Sequence, residues 1–227
     1  MTNIINISAV IFDMDGTLVD SEILTEPTIR AFCHENGIDN VDFDCSELFG
    51  ISWASTGQRI VARYPQLAGT PNIAGRLHEI FHAMGRDNPP ALIKKSRESI
   101  ITAHGLMPTA IVSSSFRESV EETIRRLGIA EFVTYYAGAD DYGESKPAPD
   151  GFLKAAGALR TEAHECLVFE DSIAGIQAAK SAGMPVIAIT HRSNDIERAT
   201  KLADMAVTDF SELDSDFFEA IGIGSQN

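Results

Sequence analysis

The chain has 227 residues, of which 44% are hydrophobic and 22% charged, and this composition excludes wholesale disorder. There are 33 Asp and Glu against 18 Lys and Arg, and the resulting formal charge of −15 argues against binding to nucleic acid or to an anionic membrane surface. This negative charge is still compatible with binding of a small phosphorylated ligand, because the electrostatic potential can be positive at one local site.

The lack of a targeting signal and the pattern of cysteines predict the cellular compartment. No apolar run approaches the ~20 residues that a membrane span needs, and residues 1–6 contain no Lys or Arg that would begin a secretory signal. Cys33, Cys45 and Cys166 are scattered and odd in number, which is typical of reduced thiols. We therefore expect a cytoplasmic protein.

Short apolar, β-branched runs recur along the chain and predict strands that are covered on both faces. They lie at residues 7–12, 110–112, 132–137, 166–169, 186–189 and 205–207. Helical patterns separate them: one runs from Ser115 or Phe116 to Leu127, and another begins after Ser172. This alternation predicts an α/β fold with a doubly wound, mostly parallel sheet, similar to a Rossmann fold.

Residues 21–86 interrupt the alternation. They contain helical patterns, such as Leu77, Ile80 and Met84 on one face, and no convincing strand. The breaker Asp87-Asn88-Pro89-Pro90 then ends the segment. We predict a core of residues 1–18 and 90–227, a small helical cap of residues 19–89, and linking strands near 18–20 and 87–90.

The strongest motif follows the first predicted strand. Asp13 and Asp15 are separated by one residue at the carboxyl end of that strand, where ligands of open α/β sheets bind. Gly16 permits a sharp turn that brings backbone N–H groups toward a ligand.

Three more polar groups lie near later strand ends: Ser113-Ser114-Ser115, Lys146, and Glu170-Asp171. Together with the first motif they would place four carboxylates in one pocket, and like charges ~4 Å apart repel by about 4 kcal/mol at an effective dielectric constant near 20. Hard oxygen ligands suit Mg²⁺, and a lysine with a phosphate would complete the charge balance. The pattern predicts magnesium-dependent phosphoryl transfer.

These four motifs, in this order, resemble the haloacid dehalogenase (HAD) superfamily, in the branch whose helical cap follows the first motif. The resemblance covers nearly the whole chain. It implies that Asp13 is the nucleophile that forms an aspartyl-phosphate. It also implies that Asp15 protonates the leaving alcohol and then deprotonates the hydrolytic water.

The resemblance implies further that Gly16, Ser113, Ser114 and Lys146 bind the phosphoryl group, Lys146 also neutralising the attacking carboxylate. Mg²⁺ would be held by Asp13, the backbone carbonyl of Asp15 and Asp171, with Glu170 bound directly or through water.

Within the superfamily, the retained Asp15 favours phosphate monoesters over dehalogenation. Relatives that act as β-phosphoglucomutases have a histidine ten residues after this aspartate, where this chain has Thr25. They also have a cap loop of the Lys-Gly-x-Ser-Arg kind, where this chain reads Phe49-Gly50-Ile51-Ser52-Trp53. The missing cap cations favour a phosphatase, and the resemblance extends to bacterial sugar-phosphate phosphatases.

If the chain is such a phosphatase, we expect Gly50, Ser52 and Trp53 to form the substrate-selecting surface of the cap. Phe49 and Trp53 would stack on a sugar, or pack the cap core instead. His78 and His82 fit the His-Glu-x-x-His zinc pattern, but they flank the apolar stripe of a cap helix, and we interpret the match as chance.

The sequence thus predicts a monomeric Mg²⁺-dependent phosphatase for a small phosphorylated metabolite, with a sugar phosphate as the leading substrate. Two alternatives stay open: a sugar-phosphate mutase, and a non-catalytic protein that binds a phosphometabolite.

Overall fold

The computed structural model of the chain describes residue 4 and residues 6–42, 44–48, 50–193 and 195–222. Its centre is a six-stranded sheet in which every pair of neighbouring strands is parallel. The strands are β1 (Ala9–Phe12), β2 (Thr109–Val112), β3 (Tyr135–Ala137), β4 (Cys166–Glu170), β5 (Val186–Ile189) and β6 (Met205–Val207). Their order is β3-β2-β1-β4-β5-β6, so the predicted doubly wound α/β fold is confirmed.

The first strand lies at the point where the strand order reverses. In the register, Ile11 of β1 pairs with Ala110 of β2 on one side and with Val168 of β4 on the other. All four residues of β1 are buried, because helices cover both faces of the sheet. The carboxyl ends of β1, β2 and β4 therefore meet at one edge, which is the usual ligand site of such folds.

Six helices surround the sheet: α4 (Ser96–His104), α5 (Arg117–Leu127), α6 (Asp150–Leu159), α7 (Ile173–Ser181), α8 (Ile196–Leu202) and α9 (Ser215–Ile221). Ile100, Val120 and Phe218 of α4, α5 and α9 pack against Val10 and Phe12 on one face. Residues of α6, α7 and α8 pack against Ala9 and Ile11 on the other face. Successive strand residues point to opposite faces, so one short strand contributes to two cores.

Local signals set the helix ends. The Ser172 side chain caps α7 by accepting a hydrogen bond from the Gly175 N–H, and Gly128 ends α5 with a φ of 60°. The strand expected at 132–137 is shorter, because Ala130–Phe132 forms a 3₁₀ turn closed by a Phe132 N–H to Ile129 carbonyl bond.

Three helices precede the second strand: α1 (Thr25–Glu35), α2 (Trp53–Arg63) and α3 (Ile73–Asp87). They bury an apolar cluster of their own, in which Ile29 and Phe32 of α1 meet Ile60 of α2 and Leu77 of α3. We call the unit formed by residues 21–87 the helical insert. Its described residues contain no strand.

The chain leaves and re-enters the core through adjacent segments. Val19 and Leu92 form an antiparallel bridge, and the Asp20 N–H donates to the Ala91 carbonyl at 2.8 Å. This pairing lies beyond the expected 87–90, because α3 continues to Asp87 and the two following prolines have no N–H to donate.

Among the described helices, none combines the length and apolarity that a bilayer span requires. Cys33, Cys45 and Cys166 are buried.

Candidate active site

The sheet topology brings the four predicted motifs together. Asp13 follows β1 directly, Ser113 follows β2, and Glu170 is the last residue of β4. β1 lies between β2 and β4. The carboxylates of Asp13 and Asp15, which follow β1, therefore face groups at the ends of both neighbouring strands. Lys146 enters the same place from the segment before α6.

Lys146 is clamped between two carboxylates. Its Nζ donates to Asp13 Oδ1 and, at 2.6 Å, to Glu170 Oε1, and all three side chains are at least 94% buried. Burial disfavours the ammonium charge, but the charges of Asp13 and Glu170 outweigh burial and raise the pKa of Lys146 above its ordinary value. The lysine is therefore a fixed positive charge at this site.

The acidic residues exceed this single positive charge. Burial raises the pKa of Asp13 to about 8, with Lys146 opposing the shift and Glu170 and Asp15 adding to it. Burial, assisted by Glu170 and Asp13, also raises the pKa of Asp171 well above its ordinary range. Another cation is needed to keep both groups ionised at neutral pH.

The residues fit a hard divalent cation. Asp13, Glu170 and Asp171 each offer a carboxylate oxygen within 4.8 Å of the others. Asp13 Oδ2 is buried and has no hydrogen-bond partner among the described residues, whereas Glu170 Oε2 already accepts from the Ser172 N–H at 2.6 Å and from Ser172 Oγ at 3.0 Å. Asp13 and Asp171 are thus better placed than Glu170 to be direct ligands.

The first turn of the motif depends on the absence of a side chain. Gly16 has a φ of 84°, and a Cβ there would lie 2.1 Å from Asp171 Oδ2. The Thr17 hydroxyl donates to Asp171 Oδ1 at 3.0 Å and fixes the same carboxylate. The motif that follows β1 therefore fixes the position of the Asp171 carboxylate, which follows β4.

Three hydroxyl groups hold Asp15. Ser21 Oγ donates to its Oδ1 at 2.6 Å, and Ser113 and Ser115 donate to its Oδ2 at 2.9 and 2.8 Å. On the sequence alone, Ser113 was assigned to the phosphoryl group, Ser115 was placed at the possible start of a helix, and Ser21 had no role. Hydroxyl groups both donate and accept, so this set can hold either protonation state of Asp15.

A loop of the helical insert contacts the core at this site. Gly50, with a φ of 71°, accepts a hydrogen bond from Ser114 Oγ at 3.2 Å through its carbonyl. A Cβ on Gly50 would lie 2.2 Å from the Cβ of Ser172. Only a glycine permits this close approach.

Between this loop and the motifs lies a small cleft of about 30 Å³. Gly50 and Trp53 line it, and the Trp53 ring meets Phe81 edge-on at 5.2 Å. Ser52 instead caps α2 by accepting from the Ser55 N–H, and Phe49 lies outside the described residues. Of the expected cap residues, Gly50 and Trp53 thus line the cleft, and Trp53 also packs in the apolar core of the helical insert.

Glu22 is a further acid in this cleft, which sequence reasoning left without a role. Its carboxylate accepts from the Gly50 N–H at 2.9 Å and from the Thr25 hydroxyl at 2.8 Å. Burial is the main cause that raises the pKa of Glu22 to about 8. An acidic residue just after the first motif was the available signal, but the sequence alone does not reveal its burial.

The two histidines of the zinc-like pattern lie elsewhere. The His78 ring meets Phe116 edge-on at 4.5 Å, and His82 contacts Ser119 and, at 3.4 Å, Glu122. The acidic group with metal-ligand spacing among the described residues does not include them. They join α3 to the start of α5, as side chains of an interface.

Comparison with known proteins agrees with this arrangement. Residues 7–183 match the haloacid dehalogenase-like hydrolases. The chain is 30% identical over 186 residues to a fructose-1-phosphate phosphatase of Escherichia coli, covering 79% of this chain and 95% of that protein. It is 29% identical over 184 residues to the bifunctional riboflavin kinase/FMN phosphatase of Arabidopsis thaliana, covering 80% of this chain but only 48% of that longer protein.

Among solved structures, the fold is similar to that of a β-phosphoglucomutase from Clostridium difficile. The TM-score is 0.80 at 23% identity, covering 94% of this chain and 96% of that one, which is a likeness of fold. The family match spans well over half of the chain and includes the strand-end motifs. The chain therefore belongs to the haloacid dehalogenase-like hydrolase family of enzymes.

Proposed function

We propose that this chain is a Mg²⁺-dependent phosphatase that hydrolyses a small phosphorylated metabolite, foremost a sugar phosphate, through an aspartyl-phosphate. The observation that carries the proposal is the state of Asp13. One of its oxygens accepts a hydrogen bond from Lys146, and the other is buried with no hydrogen-bond partner in the described part of the chain. A carboxylate so held is positioned to attack a phosphorus atom.

In the first step an Asp13 oxygen forms a bond to phosphorus while the bond from phosphorus to the ester oxygen breaks. Asp15 gives its proton to the departing oxygen. In the second step water attacks phosphorus, Asp15 takes the proton from this water, and the bond to Asp13 breaks. Inorganic phosphate leaves, and both aspartates return to their starting states.

The remaining groups supply charge and position. Lys146 neutralises the phosphoryl oxygens, and Gly16, Ser113 and Ser114 would donate hydrogen bonds to them. The two serine hydroxyls would exchange their acceptors in this structure, Asp15 and the Gly50 carbonyl, for phosphoryl oxygens. Asp13, the Asp15 carbonyl and Asp171 would hold Mg²⁺, with Glu170 beside them. When bound, Mg²⁺ supplies positive charge that offsets the negative charge of the phosphoryl group.

We also propose that residues 19–89 act as a cap that selects the substrate. The separate apolar core of the helical insert and its loop at Gly50, which contacts Ser114, support this role. A cap docked in this way excludes bulk water from Asp13 during the reaction.

The test is phosphate release from a panel of sugar phosphates and other small phosphate esters, with Mg²⁺ and with EDTA. We expect release that requires Mg²⁺. Conversion of β-glucose 1-phosphate to glucose 6-phosphate, with no phosphate released, would identify a mutase instead. If neither reaction occurs, a thermal shift on adding these esters tests the non-catalytic binding alternative.

A further inference from the structure

The cleft beneath the cap loop is closed on one side. The Gly50 carbonyl is bonded to Ser114, its N–H is bonded to Glu22, and its Cα lies against Ser172. These contacts hold Gly50 against the core on that side of the cleft.

A second opening reaches the same reacting group. A groove of about 200 Å³ runs between α3 of the helical insert and α5 of the core. Asp15, Ser21 and Phe81 line both this groove and the cleft beneath the cap loop. The carboxylate that would protonate the leaving group is thus accessible from the groove side.

The groove is lined by apolar and basic side chains. Met14, Val19 and Leu24 are among the apolar ones, and the basic ones include Arg86 of α3 and Arg126 of α5. Both arginines are exposed, and among the described residues neither guanidinium forms a hydrogen bond or an ion pair. Glu122, the acid that lines the groove together with Asp15, is 3.4 Å from His82.

The positive charges of Arg86 and Arg126 contrast with the negative charge of the whole chain. The chain has a formal charge of −15, so its overall field repels a phosphate dianion. Two unpaired arginines beside the opening create a local positive potential within about one Debye length, ~10 Å at 0.1 M salt. An arginine guanidinium also matches the geometry of phosphate oxygens.

We propose that the α3–α5 groove is the route by which the phosphorylated substrate reaches Asp15, and that Arg86 and Arg126 attract its phosphate group into it. This inference rests on the proposed phosphatase function. It assigns the two arginines to substrate capture, and they take no part in the bond-breaking steps.

The experiment compares wild type with the double variant Arg86→Glu/Arg126→Glu, using p-nitrophenyl phosphate as the probe. The control is Arg125→Glu/Arg198→Glu, which changes the net charge equally. Arg125 lines a different cavity, on the Tyr136 side of α5, and Arg198 is exposed on α8. Thermal melting verifies that all three proteins are folded.

At low salt we expect kcat/KM of the groove variant to fall about tenfold below that of the control variant, through KM rather than kcat. Raising the salt from roughly 10 to 300 mM should remove most of this difference, because the added ions screen the charges of the two arginines. Equal kcat/KM values for the two variants at low salt would overturn the proposal, as would a difference that salt leaves unchanged.

The two proposals can fail separately. Absence of phosphate release from the wild type would contradict the phosphatase function. Calorimetric binding of inorganic phosphate to the three proteins then decides the groove proposal alone: weaker binding in the groove variant than in the control supports it, and equal binding overturns it.

Discussion

Asp13 shows how one residue serves two purposes. Its Oδ1 forms an ion pair with Lys146, which stabilises the folded site, while no residue that the structure describes is a hydrogen-bond partner of its Oδ2. A buried polar atom without a partner costs about 1–3 kcal/mol, so its presence points to a ligand or a reaction at this atom.

Replacing Asp13 by Asn removes the charge of the nucleophile and little volume. We expect Asp13→Asn to lower phosphate release on the order of a thousandfold or more, with an unchanged circular dichroism spectrum. Retained turnover in this variant would contradict the aspartyl-phosphate mechanism.

Removing Lys146 leaves Asp13 and Glu170 without their shared cation. We expect Lys146→Ala to lower kcat by about a hundredfold and to move the acidic limb of the pH–rate profile to higher pH, since Lys146 lowers the pKa of Asp13. Lys201→Ala, at an exposed position on α8, is the control and should leave both unchanged. Similar pH profiles for the two variants would show that Lys146 has no influence on Asp13.

A single carbon atom added at Gly16 should disturb the site. In Gly16→Ala the new Cβ would meet Asp171 Oδ2, and its φ of 84° is unfavourable for alanine by about 1–2 kcal/mol. We expect a lower melting temperature and magnesium binding weakened by more than tenfold, measured by calorimetry. The control is Gly157→Ala, since no atom lies within 4 Å of a Cβ added to this exposed residue of α6. Alanine should leave stability equal or higher there.

At the scale of elements, α3 and α5 are joined by histidines. Burial and the nearby His82 lower the pKa of His78 to about 4, while Asp140 and Glu79 oppose the shift. The folded state thus binds fewer protons than the unfolded chain between that value and the ordinary 6.5. The stabilising contribution of neutral His78 is complete above this window and is lost as the pH falls through it.

We therefore expect the wild type to lose more free energy of unfolding between pH 6.5 and pH 4 than His78→Gln does. Urea titrations at both pH values measure this difference. His34→Gln, whose native side chain is 76% exposed, is the control and should behave like the wild type. An identical pH response in His78→Gln and wild type would mean that His78 is not titrating in this interface.

Some positions in the site were predictable from the sequence and others were not. Residues beside strands could be placed from the sequence, because Asp13, Ser113 and Glu170 each follow an apolar run and parallel strands end at one edge. The contact of Ser115 with Asp15 spans 100 residues and depends on the side-chain rotamers of two loops. Local patterns carry no such information.

The same limit applies to the helical insert. Its helical content was predictable from apolar spacing, whereas the docking of Gly50 against Ser172 and the burial of Glu22 result from how two units pack. The α3–α5 groove arises in the same way. Its two arginines look like ordinary surface residues until the helices that bear them face each other.

At the scale of the whole molecule, metal binding is linked to protons. The raised pKa values of Asp13, about 8, and of Asp171 mean that Mg²⁺ must displace protons below that pH. We expect Mg²⁺ to bind more tightly at pH 8 than at pH 6 and to raise the melting temperature more at the higher pH. Calorimetry in buffers of different ionisation enthalpy measures the protons released. A pH-independent affinity would contradict the assignment of Asp13 as a ligand.

The position of β1 also sets the order in which the chain can fold during synthesis. Val10 pairs with Thr109 and with Leu167, so the strand that precedes the nucleophile gains its first neighbour after about half of the chain has left the ribosome and its second after about three quarters. The contacts among α1, α2 and α3 all fall within residues 25–87 and become available much earlier. The helical insert can bury its apolar cluster first, while β1 waits for its partners.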